Sequence, residues 1–231
     1  MRLTAQIKIG YYPTPDVVVN LIRPMLEFPS QEFPVLDPCC GTGKALADLV
    51  AGTATVTYGI ELDLGRAREA DKHLNCVAKG VFEQATVAKN AFSLVLLNPP
   101  YDADTSNFET RRKEYTFLRE TTPLLVDEGI LVCIVPQQRI SPQIARHLDY
   151  SYEAISCWRF PPKEYRDFNQ VVILAKKKKI KHPTDSSTRS VFVALTTAKE
   201  SLDAAPPRRK WVVFQREKWL RFKWEFALVL L

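Results

Sequence analysis

The chain of 231 residues has few metal-binding side chains. Its three histidines lie far apart in the sequence, so they indicate no metal cluster. Its five cysteines are odd in number and form no Cys-x-x-Cys pair, which argues against a disulfide framework and against a zinc site. We therefore expect no bound metal, and reduced thiols in a cytoplasmic protein. The cysteines are Cys39, Cys40, Cys76, Cys133 and Cys157.

Long apolar runs are also missing. None approaches the ~20 residues that a membrane-spanning helix needs, and the N-terminus lacks the apolar segment of a secretory signal. A hydrophobic content of 46% and a charged content of 25% are typical of a globular protein with one sizeable core. The net charge of +6 and the pI near 9.0 are compatible with a nucleic-acid partner.

The close pair of glycines, Gly41 and Gly43, is not part of a phosphate-binding loop because no Gly-Lys-Ser/Thr follows at the required spacing. The pair lies between a predicted strand, Phe33–Asp37, and a predicted helix, Lys44–Val50. Strand, glycine turn and helix in this order allow a nucleotide-like ligand to approach the backbone. Asp37 at the strand end would repel a pyrophosphate and suits an amine-bearing ligand.

A second predicted strand, Thr55–Glu61, ends in a carboxylate roughly 20 residues beyond the glycine turn, where an acidic side chain can bind both hydroxyls of a ribose. A third strand is predicted over Cys76–Val81, with Glu83 and Gln84 after it. Strands that alternate with helices predict a parallel sheet with right-handed crossovers.

The apolar run Phe92–Leu97 is followed by Asn98-Pro99-Pro100-Tyr101. The two prolines predict a strand that ends in a rigid turn. Ligands of open α/β sheets bind at the carboxyl ends of strands, so Asn98 and Tyr101 would project into a cleft. Taken alone, the stretch is equally compatible with an ordinary turn.

The second half of the chain predicts a hairpin. The strands Ala154–Phe160 and Gln170–Ala175 are joined by a segment too short for a helical crossover, which favours antiparallel pairing. Lys176–Lys179 is predicted to be a solvated strand exit, and Val191–Leu195 a strand. At the other end of the chain, Thr14 is expected to cap the helix Val17–Leu26.

Three ordered stretches, Asp37–Gly43, Gly59–Asp63 and Asn98–Tyr101, resemble class I S-adenosylmethionine-dependent methyltransferases of the adenine-N6, amino-methylating DNA type. The resemblance covers about residues 8–175. It implies an α/β fold with a Rossmann-like, seven-stranded, mostly parallel sheet, helices on both faces and an antiparallel last strand. We expect this domain over residues 1–180. The basic, aromatic segment 181–231 would then dock on it, contact nucleic acid or begin a region that is missing here.

The resemblance also implies the cofactor S-adenosyl-L-methionine and its contacts. Asp37 would meet the cofactor's amino group, Glu61 its ribose hydroxyls and Leu62 its adenine ring. Many members carry an acidic residue after the third strand that binds the adenine amino group. No acid lies clearly in that place here, which leaves Glu83 or Gln84. The implied cofactor residues are Tyr12, Pro13, Thr14, Asp37, Pro38, Cys39, Gly41, Gly43, Glu61, Leu62 and Gln84.

In the implied reaction, Asn98 and the carbonyl of Pro99 accept hydrogen bonds from the N6 amino group of adenine in DNA. Pro100 fixes the turn and Tyr101 supplies a stacking face for an extruded base. The residues expected to bind DNA are Tyr101, Arg111, Arg112, Lys163, Tyr165 and Phe168.

Other readings remain open. The same four-residue motif suits RNA adenine or a protein glutamine amide, and a binding module without catalysis is a further alternative. The chain has no target-recognition domain of the usual size. Sequence specificity is therefore expected from the hairpin tip, from a partner subunit or from a missing C-terminal region.

Overall fold

The structure, a computed structural model, describes residues 12–101, 113–180, 188–204 and 210–213. In these ranges the strands are β1 (Leu26–Glu27), β2 (Phe33–Asp37), β3 (Thr55–Glu61), β4 (Cys76–Lys79), β5 (Phe92–Leu97), β6 (Leu125–Pro136), β7 (Tyr152–Arg159), β8 (Gln170–Lys177) and β9 (Trp211–Val212). The α-helices are α1 (Asp16–Ile22), α2 (Lys44–Leu49), α3 (Leu64–Ala70), α4 (Lys113–Thr121), α5 (Pro142–Ser151), α6 (Pro162–Phe168) and α7 (Thr188–Thr196). Short 3₁₀ helices cover Arg23–Met25, Phe82–Gln84, Thr122–Leu124 and Gln137–Arg139.

Seven strands form one sheet in the order β4-β3-β2-β5-β6-β8-β7. All neighbouring pairs from β4 to β6 are parallel. Strand β8 is antiparallel to both β6 and β7. The Rossmann-like, mostly parallel fold with an antiparallel last strand is therefore confirmed.

The core lies on both faces of the sheet. Every residue of β5 is buried, as a central parallel strand requires. Val18 of α1 and Leu46 of α2 pack on one face, whereas Phe117 of α4 and Leu148 of α5 pack on the other. Among the helices in the described ranges, none combines the length and apolar character needed to cross a membrane.

The connection between β7 and β8 contains a helix of seven residues, α6. This helix does not make the connection a crossover, because the two strands pair antiparallel as predicted. Asn169 ends the helix in a left-handed conformation with φ 51°. Its carbonyl oxygen accepts a hydrogen bond from the backbone N–H of Gln137 at 2.8 Å, which fixes the connection to the end of β6.

The predicted helix Val17–Leu26 is shorter in the structure, and its predicted cap is wrong. The carbonyl of Pro15 accepts hydrogen bonds from the backbone N–H groups of Val18 and Val19, and no side chain caps the helix. The hydroxyl of Thr14 instead accepts a hydrogen bond from Asn98.

Two predictions about the end of the sheet are also wrong. The segment predicted as the strand Val191–Leu195 is part of α7, and Leu195 is buried against the core. In the lysine run, Lys177 and Lys178 are buried rather than solvated. Their ammonium groups donate to the carbonyls of Leu125 and Asp149, each at 2.6 Å.

Beyond residue 180, the described residues pack on the preceding domain. Leu202 is buried in the core, and β9 pairs with β1 through Trp211 and Leu26. The domain boundary at residue 180 remains a prediction.

Candidate active site

Asp37, Glu61 and Asn98 stand at the carboxyl ends of three neighbouring parallel strands, β2, β3 and β5. Because parallel strands end at the same edge of a sheet, the three side chains meet there. A cavity of about 760 Å³ opens at this edge. Its wall includes many of the residues predicted from the sequence, namely Tyr12, Pro13, Thr14, Asp37, Pro38, Cys39, Glu61, Leu62, Asn98, Pro99 and Pro100.

The glycine turn, Gly41–Gly43, lies next to the cavity wall. Gly41 and Gly43 have φ values of 57° and 77°, which disfavour other residues. A side chain on Gly43 would meet Cγ of Leu74 at 2.9 Å, and one on Gly59 would meet Sγ of Cys40 at 2.6 Å. Neither Gly41 nor Gly43 contributes to the cavity wall. Glycine is therefore required at position 43 because the turn packs closely against α3 and the loop that follows it.

Glu61 is buried and ties the glycine turn to the start of α3. Its Oε2 accepts from the backbone N–H of Gly41 at 2.9 Å, and its Oε1 from that of Asp63 at 2.8 Å. The guanidinium group of Arg66 also donates to Oε1, from Nε at 3.0 Å and from Nη2 at 2.6 Å. The carboxylate predicted to bind a ribose is therefore held by one cation and two backbone amides.

Asp37 is part of the cavity wall and has almost no contact with solvent. Burial raises the pKa of Asp37 to about 7, and the nearby charge of Glu61 acts in the same direction. Its Oδ1 accepts from the backbone N–H of Cys39 at 3.0 Å. The thiol of Cys39 in turn donates to the backbone carbonyl of Asn98 at 3.1 Å, which connects the ends of β2 and β5.

The amide of Asn98 is oriented by partners on both sides. Its Nδ2 donates to the carbonyl oxygen of Tyr12 at 2.8 Å and to Oγ1 of Thr14 at 3.1 Å. Its Oδ1 accepts from the hydroxyl of Tyr101 at 2.5 Å. An amide oxygen has two lone pairs, so Oδ1 keeps capacity for a second donor.

The prediction that Tyr101 offers an open stacking face is wrong for this structure. Tyr101 is only 8% exposed and does not contribute to the cavity wall. Its ring lies 5.1 Å from that of Tyr12, and its hydroxyl accepts a hydrogen bond from Nε2 of Gln170 at 2.5 Å. Tyr12, which is half-buried, supplies the aromatic surface on the wall.

At the opposite end of the cavity, two leucines are unusually exposed: Leu62 at 65% and Leu64 at 61%. Both belong to the wall, as do Val81 and Glu83. Gln84, which was predicted to contact the cofactor, is exposed and lies outside the wall. Glu83 is therefore the remaining polar candidate after the third strand.

The residues predicted to bind DNA are only partly described. Arg111 and Arg112 lie outside the described residues, and so does the side chain of Phe168. Lys163 is exposed on α6. Tyr165 is half-buried, and its hydroxyl donates to Oε1 of Gln137 at 2.6 Å.

Sequence reasoning missed several residues of the site. Arg66, Lys113 and Phe117 belong to the wall, and Gln170 contacts Tyr101. Arg66 had a usable signal, since it lies five positions beyond Glu61 in the first turns of the following helix. Gln170 had none, because its contact joins residues 69 positions apart. Within the described ranges, no group of three or more His, Cys, Asp or Glu side chains could hold a metal ion.

Solved structures of methyltransferases share this fold. A predicted O-methyltransferase from Agrobacterium tumefaciens has a TM-score of 0.50 and 16% identity, over 78% of this chain and 97% of that chain. Geranyl diphosphate C-methyltransferase from Streptomyces coelicolor A3(2) has a TM-score of 0.51 and 13% identity, over 70% and 75%. A putative S-adenosylmethionine-dependent methyltransferase from Listeria monocytogenes has a TM-score of 0.50 and 14% identity, over 71% and 100%. At these identities, the likeness concerns the fold alone.

No curated protein matches the sequence. A family model does match it, and the match spans residues 1–202, which include most of the chain and all seven strands of the main sheet. The chain therefore belongs to the uncharacterised methyltransferase family DUF6094.

Proposed function

We propose that this protein transfers a methyl group from S-adenosyl-L-methionine to the exocyclic N6 amino group of adenine in DNA. The observation that carries the proposal is the position of Asn98. Its amide is held by fixed partners at the edge of the same cavity that contains Asp37 and Glu61. An acceptor for an amino group and a cofactor-sized cavity thus share one corner of the fold.

The residues of the cavity fit the cofactor. Its volume of about 760 Å³ is within the ~300–1,000 Å³ that is usual for small-molecule sites. The carboxylate of Asp37 suits the cofactor's ammonium group, and Glu61 suits its ribose hydroxyls. The exposed side chains of Leu62 and Leu64 offer an apolar surface for its adenine ring. Since Arg66 already donates to Oε1 of Glu61, ribose hydroxyls must share or displace that contact.

When bound, S-adenosyl-L-methionine supplies a methyl group on a positively charged sulfur. The chain's own residues prepare the acceptor. The lone pair of an adenine amino group is delocalised into the ring, which makes the nitrogen a poor nucleophile. Hydrogen bonds from its two N–H groups to Oδ1 of Asn98 and to the carbonyl of Pro99 favour a tetrahedral nitrogen whose lone pair is free to attack.

The balance of the reaction requires no metal and no strong base. The amino nitrogen gains a bond to carbon, the carbon–sulfur bond breaks with its electron pair remaining on sulfur, and the methylated nitrogen releases one proton to water. Asn98 and Pro99 orient the nitrogen throughout. Tyr12 provides the aromatic surface against which the extruded base packs in this proposal.

Charge favours a nucleic acid over a protein as the substrate, and the choice of DNA follows from the resemblance. The chain carries a net charge of +6, and Lys113 lies on the cavity wall. Helix α6 carries two exposed cations, Lys163 and Arg166, together with the acidic Glu164 and Asp167, and it lies at the edge of the sheet where β6 ends and β8 begins. Because β5 and β6 are parallel, Asn98 is at this same edge. A phosphate backbone along this edge would bring bases to the cavity.

The test is transfer of a radiolabelled methyl group from S-adenosyl-L-methionine to random-sequence DNA, to RNA and to a protein extract in parallel, with Asn98→Ala as the control. We expect label in DNA, recovered after digestion as N6-methyladenine. Label found only in RNA adenine or only in protein glutamine would overturn the choice of substrate. Cofactor binding with no transfer to any acceptor would leave the binding-module alternative.

A further inference from the structure

A chain of hydrogen bonds crosses the site from strand β8 to the N-terminal loop. Nε2 of Gln170 donates to the hydroxyl oxygen of Tyr101 at 2.5 Å. This hydroxyl donates to Oδ1 of Asn98 at 2.5 Å. The amide nitrogen of Asn98 then donates to the carbonyl of Tyr12 at 2.8 Å.

The direction of this chain follows from the chemistry of its members. A tyrosine hydroxyl carries one proton, whereas a glutamine amide nitrogen can only donate. Because Gln170 donates to the hydroxyl oxygen, the proton of Tyr101 must point to another acceptor. Asn98 offers Oδ1 at 2.5 Å, and the carbonyl of Ile134 lies farther away at 3.4 Å.

Because these groups are buried, each keeps its role as hydrogen-bond donor or acceptor. Gln170 is 2% exposed, and water has little access to the hydroxyl of Tyr101. Burial also raises the pKa of Tyr101 well above its ordinary value, so the hydroxyl keeps the proton that it donates. A buried hydrogen bond between groups with fixed donor and acceptor roles holds its geometry.

We propose that Gln170 is a positioning residue for methyl transfer, which holds the hydroxyl of Tyr101 as a donor to Asn98 and thereby fixes the amide oxygen that receives the substrate's amino group. This inference rests on the proposed function, since it takes Asn98 as the group that receives that nitrogen. Gln170 touches neither substrate nor cofactor in this account.

The place of Gln170 in the fold gives the inference a second consequence. Gln170 is the first residue of β8, directly after Asn169 and helix α6. Its own carbonyl accepts from the backbone N–H of Phe160 at 3.0 Å, which closes the connection between β7 and β8. Through the side chain of Gln170, the hydrogen-bond chain thus links the connection between β7 and β8 to Oδ1 of Asn98.

The test compares two substitutions of nearly equal volume. Gln170→Glu, assayed at a pH high enough to ionise the introduced carboxyl group, replaces the donating nitrogen by an accepting oxygen, so the proton of Tyr101 turns toward the carboxylate and away from Asn98. Gln170→Met removes the donor but offers no competing acceptor, so Tyr101 can still donate to Asn98. We expect kcat to fall by about 10-fold or more for the glutamate variant and by only about 3-fold for the methionine variant, with the KM for cofactor within about 2-fold of wild type for both.

Three controls separate positioning from folding. Gln143→Glu makes the same chemical change at an exposed position of α5 and should leave kcat unchanged. Thermal unfolding of each variant reports its stability. In a Tyr101→Phe background, Gln170→Glu should cause no further loss of kcat, because the hydroxyl through which it acts is gone. A loss of the same size in both backgrounds would overturn the inference.

A spectroscopic measurement keeps this test independent of the substrate. The side-chain amide resonance of Asn98, identified by its absence in Asn98→Ala, should shift in Gln170→Glu and remain in place in Gln143→Glu. If wild type methylates no DNA but this resonance shifts, the choice of substrate fails and the hydrogen-bond chain stands. If the resonance does not move, the inference fails whatever the substrate.

Discussion

The side chain of Asn98 donates to the backbone carbonyl of Tyr12 at 2.8 Å, a contact that joins positions 86 residues apart. It fastens the N-terminal loop over the end of β5, and both residues line the same cavity. The amide therefore has two tasks in the proposed function. Its nitrogen fixes one wall of the cofactor cavity, and its oxygen faces the amino group of the substrate.

Asn98→Ala should affect methyl transfer much more strongly than cofactor binding. We expect kcat for methyl transfer to fall by about 10²–10³-fold, the usual cost of removing one fixed polar group that orients a reacting atom. Cofactor affinity should fall much less, by about 2- to 5-fold, because the carbonyl of Tyr12 can be solvated instead. Steady-state kinetics and calorimetry measure the two quantities.

The matched control is Thr14→Val, which removes one of the two acceptors of the Asn98 amide nitrogen and leaves the other in place. Its kcat should stay within a few-fold of wild type. Wild-type turnover in Asn98→Ala would be incompatible with the proposed role of the amide oxygen.

Glu61→Ala should weaken binding of S-adenosyl-L-methionine by about 1–3 kcal/mol, because ribose hydroxyls would lose a buried acceptor. The variant also leaves the N–H groups of Gly41 and Asp63 without their carboxylate partner, so the glycine turn should lose order. Isothermal titration calorimetry measures the affinity. The control is Glu69→Gln, at a half-buried position of α3 where the carboxylate pairs with Lys72 and lies outside the cavity wall. Unchanged affinity would refute the ribose assignment.

Arg66→Gln should have the opposite effect on affinity. In the structure, the guanidinium group occupies Oε1 of Glu61 with two hydrogen bonds. Its removal frees that oxygen for ribose hydroxyls and leaves a buried carboxylate without its cation, and both changes favour the bound state. We expect tighter cofactor binding together with a lower melting temperature of the ligand-free protein. Weaker binding would mean that Arg66 itself contacts the ligand.

The sheet and the location of the site were predictable from the sequence, for a local reason. The apolar runs before Asp37, Glu61 and Asn98 are short strands, and their observed bounds match the predicted ones for β2, β3 and β5. In a parallel sheet, polar residues at strand ends must meet at one edge. Three local patterns therefore sufficed to bring three distant residues to one cavity.

Contacts between distant residues could not be predicted in this way. The position of Thr14 in the sequence predicted a helix cap, but in the fold its hydroxyl oxygen accepts a hydrogen bond from Asn98. The buried hydroxyl of Tyr101 accepts a hydrogen bond from Gln170, which lies on a strand that follows much later in the chain. The lysine run indicated solvent, yet Lys177 and Lys178 are long enough to reach backbone carbonyls from buried positions.

The buried carboxyl of Asp37 should make the stability of the ligand-free protein depend on pH. Burial raises the pKa of Asp37 to about 7 from an ordinary value near 3.8, so the folded state binds a proton that the unfolded state releases. The resulting stabilisation is complete below about pH 4 and is lost as the pH rises through 7, by at most roughly 4 kcal/mol.

Asp37→Asn should remove this dependence, since asparagine keeps an oxygen for the N–H of Cys39 and carries no charge. We expect the variant to melt at a higher temperature than wild type at pH 8 and at nearly the same temperature at pH 4. The affinity for the cofactor should change in the opposite direction with pH. Wild type should bind S-adenosyl-L-methionine more tightly at pH 7.5 than at pH 5.5, because only the ionised carboxylate attracts its ammonium group. The variant should bind the cofactor weakly at both pH values. Asp167→Asn, an exposed change on α6, is the control for both measurements. If Asp37→Asn kept the wild-type dependence of melting temperature on pH, the titrating group would be another residue and the assignment of Asp37 would be wrong.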